Sequence, residues 1–448
     1  MNVATRTRWK IAFLLCGVAM VNFFQRANIS IAGDSIMRTF GLSQTQMGSV
    51  FSAFVLGYTL FQVPGGMLAD RFGARRVLAW ASLSWGCFTL LTGISGWISA
   101  WTGAGILGVL IILRFLFGLS QGPMFPASGR AVANWFPLTE RARANGVAIT
   151  GISAGSFLVP PLVSWMVLSF SWETSFFISA GFSVIIATVW FLYARDFPAQ
   201  HWAVNSQELK LIESGMAQQN ISVSARSSML LALRSGNLWR LVASYTLSGY
   251  VSYVFVFWFF LYMVQVRKFG QAESAWLTTV PWILAAFTTM AGGYVSDHLI
   301  VSKLGMNWGR RVVPMFCQIG AGVFLTVGAR VENGYVAAAV LAVCTGLIMG
   351  VEGPYWATAN QISDRNVGFT GGLLNTGGNL GGVVSPTLTP LIAHHFGWVR
   401  ALDFTGLVAM GAALLWLSVN ASKKVGKAVP QPFIPQPSPL ADYPREPS

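Results

Sequence analysis

The chain has 448 residues, of which 54% are hydrophobic and 10% charged, with a mean hydropathy of +0.57. Soluble domains carry about 25% charged residues, so this composition excludes a water-soluble protein and indicates an integral membrane one. The net charge of +14 does not mark a nucleic-acid binder, because the basic residues lie in short loops between apolar runs.

In chain order, the apolar runs predict twelve spans of about twenty residues, the length that crosses a bilayer core. Their limits are 9–32, 46–69, 76–97, 103–127, 144–169, 173–194, 239–265, 274–296, 312–330, 335–359, 370–393 and 399–419. The first run follows Arg6 and Arg8 and is expected to persist as a spanning helix, without a cleavable signal. One long polar interval, Arg195 to Arg240, splits the spans six and six. The expected organisation is a six-helix bundle over 1–195, a cytoplasmic central loop over 196–237, a second bundle over 238–420 and a disordered, proline-rich tail over 421–448. The fold class is therefore an all-α membrane protein: twelve transmembrane helices in two pseudo-symmetric six-helix bundles. With the N-terminus inside, cytoplasmic segments hold 22 Lys and Arg and external segments five. The positive-inside rule then places both termini in the cytoplasm. Two arginines, Arg26 and Arg114, remain within the spans.

The halves repeat each other. GGMLADRFGARR (Gly65 to Arg76) is matched by GGYVSDHLIVSKLGMNWGRR (Gly292 to Arg311), with Asp70 and Asp297 in equivalent places. QGPMFPA (Gln121 to Ala127) is echoed by EGPYWAT (Glu352 to Thr358), and GVAITGISAGSFLVPP by GGLLNTGGNLGGVVSP. The offsets of 227, 231 and 225 residues fit one duplication. Repeated six-span halves place a binding site at their interface near the midplane.

Arg114 follows an uncharged run, Gly103 to Leu113, and lies about 15 Å into its span. A guanidinium at that depth costs at least about 2.5–3.5 kcal/mol in lipid, so it faces a watery cavity, a buried anion or backbone carbonyls. Gln121-Gly122-Pro123, further along the same helix, places a polar group beside a helix-weakening pair.

GGMLADRFGARR resembles the loop signature of the major facilitator superfamily. RANIS at 26–30, SAFVLGYTLFQVPGGMLADRFGAR at 52–75, FPASGRAVANWFP at 125–137 and NTGGNLGGVVSP at 375–386 together resemble its anion:cation symporter family. That family includes bacterial carriers for hexuronates, galactonate, tartrate and phthalate. The resemblance covers nearly the whole chain outside the central loop and tail. It implies inward movement of an organic anion, often with protons.

The resemblance also implies roles for individual residues. Arg26 matches a substrate-contacting arginine of the first span, and Tyr58 a tyrosine of the second that binds sugar acids. Trp356 and Asn375 match tenth- and eleventh-span positions with the same role. Independently of family, an arginine fork suits a carboxylate, an indole face suits a sugar's C–H face, and amide and phenol tips suit its hydroxyls. The expected substrate set is Arg26, Tyr58, Arg114, Gln121, Trp356, Asn375 and Asn379; for the two asparagines, hydrogen bonding between helices is the rival reading. Asp70, Arg71, Arg75 and Asp297 are expected to gate the cytoplasmic side, with helix capping and topology as the alternative.

The chain also departs from that family. Proton-coupled members read N-Y-x-D-R where this chain has Asn22, Phe23, Phe24, Gln25 and Arg26, and they carry a glutamate where Gln121 stands. Neither amide can titrate. Glu352, the counterpart of Gln121 in the second half, is the remaining acid deep in a span. It either carries the coupling proton or is held ionised as a partner of Arg114.

Other classes fit less well. No paired catalytic acids, zinc motif or Ser/His/Lys set stands within the spans, and no GxxxxGK[ST] appears. The four cysteines are scattered singly and make no disulfide framework. The chain is thus read as a non-enzymatic secondary active transporter of the inner (plasma) membrane. It imports a carboxylate such as a sugar acid by alternating access, with proton coupling. A facilitator, an anion exchanger and a non-transporting sensor are the alternatives. The expected partners are the anion, protons and the lipid bilayer, with no cofactor, no metal, no nucleic acid and a monomeric state.

Overall fold

The computed structural model describes residues 4–137, 139–214, 232–363 and 367–424. The expected disordered tail therefore lies almost wholly outside the described residues. The first span is Thr7–Phe40, the second Gln44–Phe72, the third Ala74–Gly93 continued by Ser95–Thr102, and the fourth Ile106–Gln121 continued by Met124–Trp135. The fifth is Arg141–Ser169 and the sixth Trp172–Tyr193. The second half runs Gly236–Gln265, Gln271–Val301, Gly305–Arg330, Gly334–Gly350 continued by Glu352–Ile362, Val367–Phe396 and Trp398–Ser418. No β-strand occurs among the described residues.

Ten of these helices are long and apolar enough to cross a membrane, and the third, bent by 69° after Gly93, makes an eleventh. The expected twelve is reached only by counting Val367–Phe396, whose thirty residues include two asparagines, two histidines, four threonines and two prolines that lower its hydropathy. The fourth and tenth spans both break near their middles, after Gln121 and Gly350. The breaks fall where Gly122-Pro123 and Gly353-Pro354 weaken the helix.

Turn chemistry explains the hairpins. Gly41 closes the first helix at φ 65°, in the left-handed region that favours glycine. Ser43 and Gln46 then form a reciprocal capping box that starts the second.

Packing repeats the duplication. In the first half, span one packs on five, two on four and three on six; in the second, seven packs on eleven, eight on ten and nine on twelve. Both one–five type contacts depend on a missing side chain. A Cβ on Gly151 would lie 2.0 Å from the Cys16 carbonyl oxygen, and one on Gly381 would lie 2.0 Å from that of Thr246, each residue moved on by the same 230 positions. The halves meet through spans two and eleven and through five and eight, so the outer four spans, three, six, nine and twelve, leave the interface to the other eight.

Contacts between halves concentrate at the face opposite the N-terminus. There Gln265 donates to Asp34 at 2.8 Å and Ser52 meets Thr387 at 2.8 Å. Phe51 stacks on Phe257 at 4.8 Å, and the Gly48 backbone lies against the Pro386 carbonyl. The tie nearest the N-terminal face is Asn375 donating to Gln62 at 2.7 Å. Beyond it, Asp70 pairs with Arg130 at 3.4 Å and Asp297 with Arg310 at 2.6 Å, each inside its own half.

Candidate functional site

The first half contributes cations. Arg26, half-buried on span one, lies over the rings of Tyr58 at 4.6 Å and Phe54 at 5.2 Å. Gln121 Oε1 accepts two long 3.4 Å bonds from it, while Gln121 Nε2 donates to the Asn22 carbonyl at 3.0 Å. Arg114 is fully buried, with Phe117 at 4.1 Å and the same Phe54 ring at 5.6 Å. None of its three guanidinium nitrogens has a hydrogen-bond partner among the described residues. Two cations thus share one phenyl ring with no carboxylate bonded to either. Cation–π contact offsets part of that burial at about 2 kcal/mol, well short of the several kcal/mol of desolvation.

The second half contributes hydroxyls, amides and one acid. Tyr245 donates to Glu352 Oε2 at 2.8 Å, with the Trp356 indole alongside. The alternative reading, in which Arg114 holds Glu352, is not seen: the carboxylate is bonded to Tyr245 on span seven, and Arg114 lies over phenyl rings. Tyr253 donates to Asn379 Oδ1 at 2.8 Å and stacks on Phe257 at 5.8 Å. Its hydroxyl also lies within electrostatic reach of Arg26, Tyr58 and Glu352, and so joins the two walls.

Buried donors left open near these groups include the three nitrogens of Arg114 and the amide nitrogens of Asn22, Gln62 and Asn379. The Ser248 and Thr358 hydroxyls and one acceptor, Gln318 Oε1, whose amide end donates to Tyr355, are open as well. For Gln62 and Asn379 the carbonyl end is already engaged, by Asn375 and Tyr253. Unmet donors of this kind are matched by carboxylate and hydroxyl oxygens.

The remaining expected residues fall into three groups. Tyr58 lies beneath Arg26 and Trp356 beside Glu352, and Asn375 spends one amide proton on the inter-half bond to Gln62. Of the gating set, Asp70 and Asp297 take Arg130 and Arg310, neither expected as a partner. Arg71 lies over the neighbouring Phe72 ring, and Arg75 donates its Nε to the Phe191 carbonyl at 2.9 Å, so neither pairs with Asp70. Gln25 lies outside the cavity: it donates to Ser179 O at 2.7 Å and to Ser183 and accepts from Thr89, bracing spans one, three and six. A carboxylate there would lose both donations. Sequence reasoning missed Phe54, Gln62, Tyr245 and Tyr253, although spacings of four place Phe54 and Tyr58 on one helix face.

Two broken, duplicated bundles around a midplane site of buried charge define a transport protein, not an enzyme. The chain belongs to the Major Facilitator Superfamily, which it matches over residues 15–356 and 298–442. It is a multi-pass membrane protein. A probable galactarate/D-glucarate transporter of Bacillus subtilis (strain 168) is 33% identical over 428 residues, covering 92% of each chain. The hexuronate transporter of the same organism is 29% identical over 433 residues, covering 96% of each. Among solved structures, a bacterial homolog of the human lysosomal transporter Spinster, inward-facing and occupied, superposes at TM-score 0.76 with 15% identity, covering 93% of this chain and 97% of that one.

Proposed function

We propose that this transporter imports a sugar acid across the plasma membrane, binding one carboxylate at Arg26 and the hydroxyls at Tyr58, Tyr253, Asn379 and Trp356. The observation that carries this reading is the pair of arginines around Phe54, with no hydrogen-bond partner for any guanidinium nitrogen of Arg114. Arg26 is reachable and takes the carboxylate in its fork; Arg114, sealed beneath, adds attraction through a low-dielectric wall. The likeness to carriers named for galactarate, D-glucarate and hexuronate supports the same substrate class.

The positive-inside count makes the N-terminal face cytoplasmic. Ties concentrated at the opposite face then support an inward-facing state, and a monomer contains every part of the site. Rocking the halves about the Gln62–Asn375 level would exchange access. The Asp70–Arg130 and Asp297–Arg310 pairs then act as cytoplasmic latches. Because Gln25 and Gln121 are amides held in hydrogen bonds, Glu352 is the acid available for proton coupling, with Tyr245 and Trp356 as its local partners.

Calorimetry of the purified protein with galactarate, glucuronate and the neutral hexose galactose tests the substrate reading. Heats with the acids, none with galactose and an affinity weakened by about a hundredfold in Arg26→Ala are expected. Equal binding of galactose would remove the anion site.

A further inference from the structure

The two halves bring unequal charges to the site. Of the two arginines, Arg26 keeps exposed surface and Arg114 has none, so a substrate meets one guanidinium directly. Gln121, which accepts from Arg26 at 3.4 Å, is an amide and takes no proton. Tyr253, on the second half, bears the fields of both Arg26 and Glu352, and its hydroxyl donates to Asn379 at 2.8 Å.

Glu352 is enclosed by protein yet keeps part of its surface open. Tyr245 donates to it at 2.8 Å and the Trp356 indole lies alongside, while no cation among the described residues acts on it. Tyr355, on the same helix, gives its hydroxyl to Ser244 and Gln318, and Cys317 of span nine packs in the same apolar cluster as that ring. Spans eight and nine pair their own charges, Asp297 with Arg310 at 2.6 Å. Span eleven brings Asn375 and Asn379, which do not titrate. The helix Glu352–Ile362 carries the chain roughly 15 Å along its axis before residues 364–366, outside the described ones, begin.

We propose that Glu352 sorts sugar acids by charge: a monocarboxylate binds as it is, and a dicarboxylate binds with one further proton, shared between its second carboxylate and Glu352. This rests on the sugar-acid reading above, with one carboxylate at Arg26. The carbon chain then runs past Tyr253 and Asn379, with its far end toward Glu352. A hydroxyl there meets the acid as donor to acceptor. A second carboxylate meets it as a like charge with neutral amides and phenols around, and two carboxylates sharing a site do not both stay ionised. A proton from water joins them in one O–H···O⁻ bond, and the pair keeps a single negative charge. Import of a dicarboxylate therefore takes up one proton more than import of a monocarboxylate.

Galactonate and galactarate make the test, because they share one carbon chain and differ only at its far end, a hydroxymethyl group against a carboxylate. Calorimetry on the full-length protein measures both affinities from about pH 6 to 9, where the substrate carboxylates are ionised throughout. The ratio of galactarate to galactonate affinity is expected to fall by about tenfold per pH unit over part of that range, one further proton being bound. In buffers of unlike ionisation heat, galactarate should take up about one proton more than galactonate there. Glu352→Gln should make the ratio independent of pH. If that variant does not fold, Tyr245→Phe removes the 2.8 Å donor, keeps the acid and should move the fall to higher pH. A flat ratio in the wild type, a slope that survives in Glu352→Gln, or an unmoved profile in Tyr245→Phe overturns the proposal. Binding of neither acid defeats the sugar-acid reading and this one with it, whereas binding of both at a flat ratio defeats this one alone.

Discussion

The cavity walls of the two halves share one scaffold and carry opposite chemistry. The first-half wall presents Arg26 and Arg114 with no acid bonded to either; the second-half wall presents Glu352, Tyr245, Tyr253 and Asn379 with no arginine. The supporting contacts barely differ, since Gly151 and Gly381 allow the same 2.0 Å approach in both halves. Duplication therefore preserved the backbone packing, which has few solutions, and left the cavity-facing side chains to diverge. One wall attracts an anion, and the other reads its hydroxyls and holds an acid.

The comparison breaks most visibly at Arg26. Arg26→Ala should weaken sugar-acid binding by about a hundredfold, two charge-assisted hydrogen bonds being worth about 1.5–3 kcal/mol each, partly offset by water. Arg26→Lys should recover little, because an ammonium cannot reproduce the fork. Calorimetry giving near-native affinity for either variant would show that the first-half wall does not hold the carboxylate.

Glu352→Gln probes the other wall. Proteoliposomes under an imposed pH gradient should lose uphill uptake while counterflow persists, as removing the acid uncouples transport without closing the path. A variant that still concentrates substrate excludes Glu352, and a wild type that only equilibrates excludes proton coupling.

The shared scaffold can be tested by paired substitution. Gly151→Ala and Gly381→Ala should destabilise by similar amounts, about 1–3 kcal/mol, since each methyl meets a backbone carbonyl that must move. Thermal unfolding in detergent that lowers one and spares the other would show that the halves are not packed equivalently.

Smaller effects belong to the rims. Asp70→Asn should slow turnover with substrate affinity nearly unchanged: its pair with Arg130 is exposed, and such pairs contribute only about 0–1 kcal/mol. Equal losses of binding and transport would exclude a latch. At the opposite corner of the same half, the Arg8 guanidinium holds the Glu140 carboxyl below its ordinary value of 4.5. A depressed carboxyl adds stability above that value and loses it as pH falls through and below it. Wild type should therefore unfold at a higher temperature than Glu140→Gln near neutral pH, with the difference vanishing in acid. A difference independent of pH would assign the effect to packing.

Much of the fold was legible because a bilayer imposes it. Runs of apolar residues and the 225–231 residue repeat indicated the six-plus-six plan, and Gly122-Pro123 marked a weak point in span four; the break in span ten was not read from the sequence. Hydropathy undercounts where polar residues stand among the apolar ones, as in Val367–Phe396. Within the site, Arg26 and Arg114 could be picked out because charge at that depth is costly, and Tyr58 only through the family resemblance. Tyr253, Tyr245 and Gln62 could not, since a tyrosine or glutamine in a span looks like any packing residue until its partner is known.

The sequence by itself determined which groups exist: two intramembrane arginines, amides where acids would titrate, one deep glutamate and a surplus of basic residues at one set of helix ends. Tertiary structure alone decided their pairing. Glu352 went to Tyr245 rather than Arg114, Gln25 to a brace of spans one, three and six, and Asp70 to Arg130. The physical reason is range. Hydrophobicity and helix breaks act along the chain and can be read from it, whereas a hydrogen bond or ion pair depends on ångström-scale approach between spans far apart in sequence.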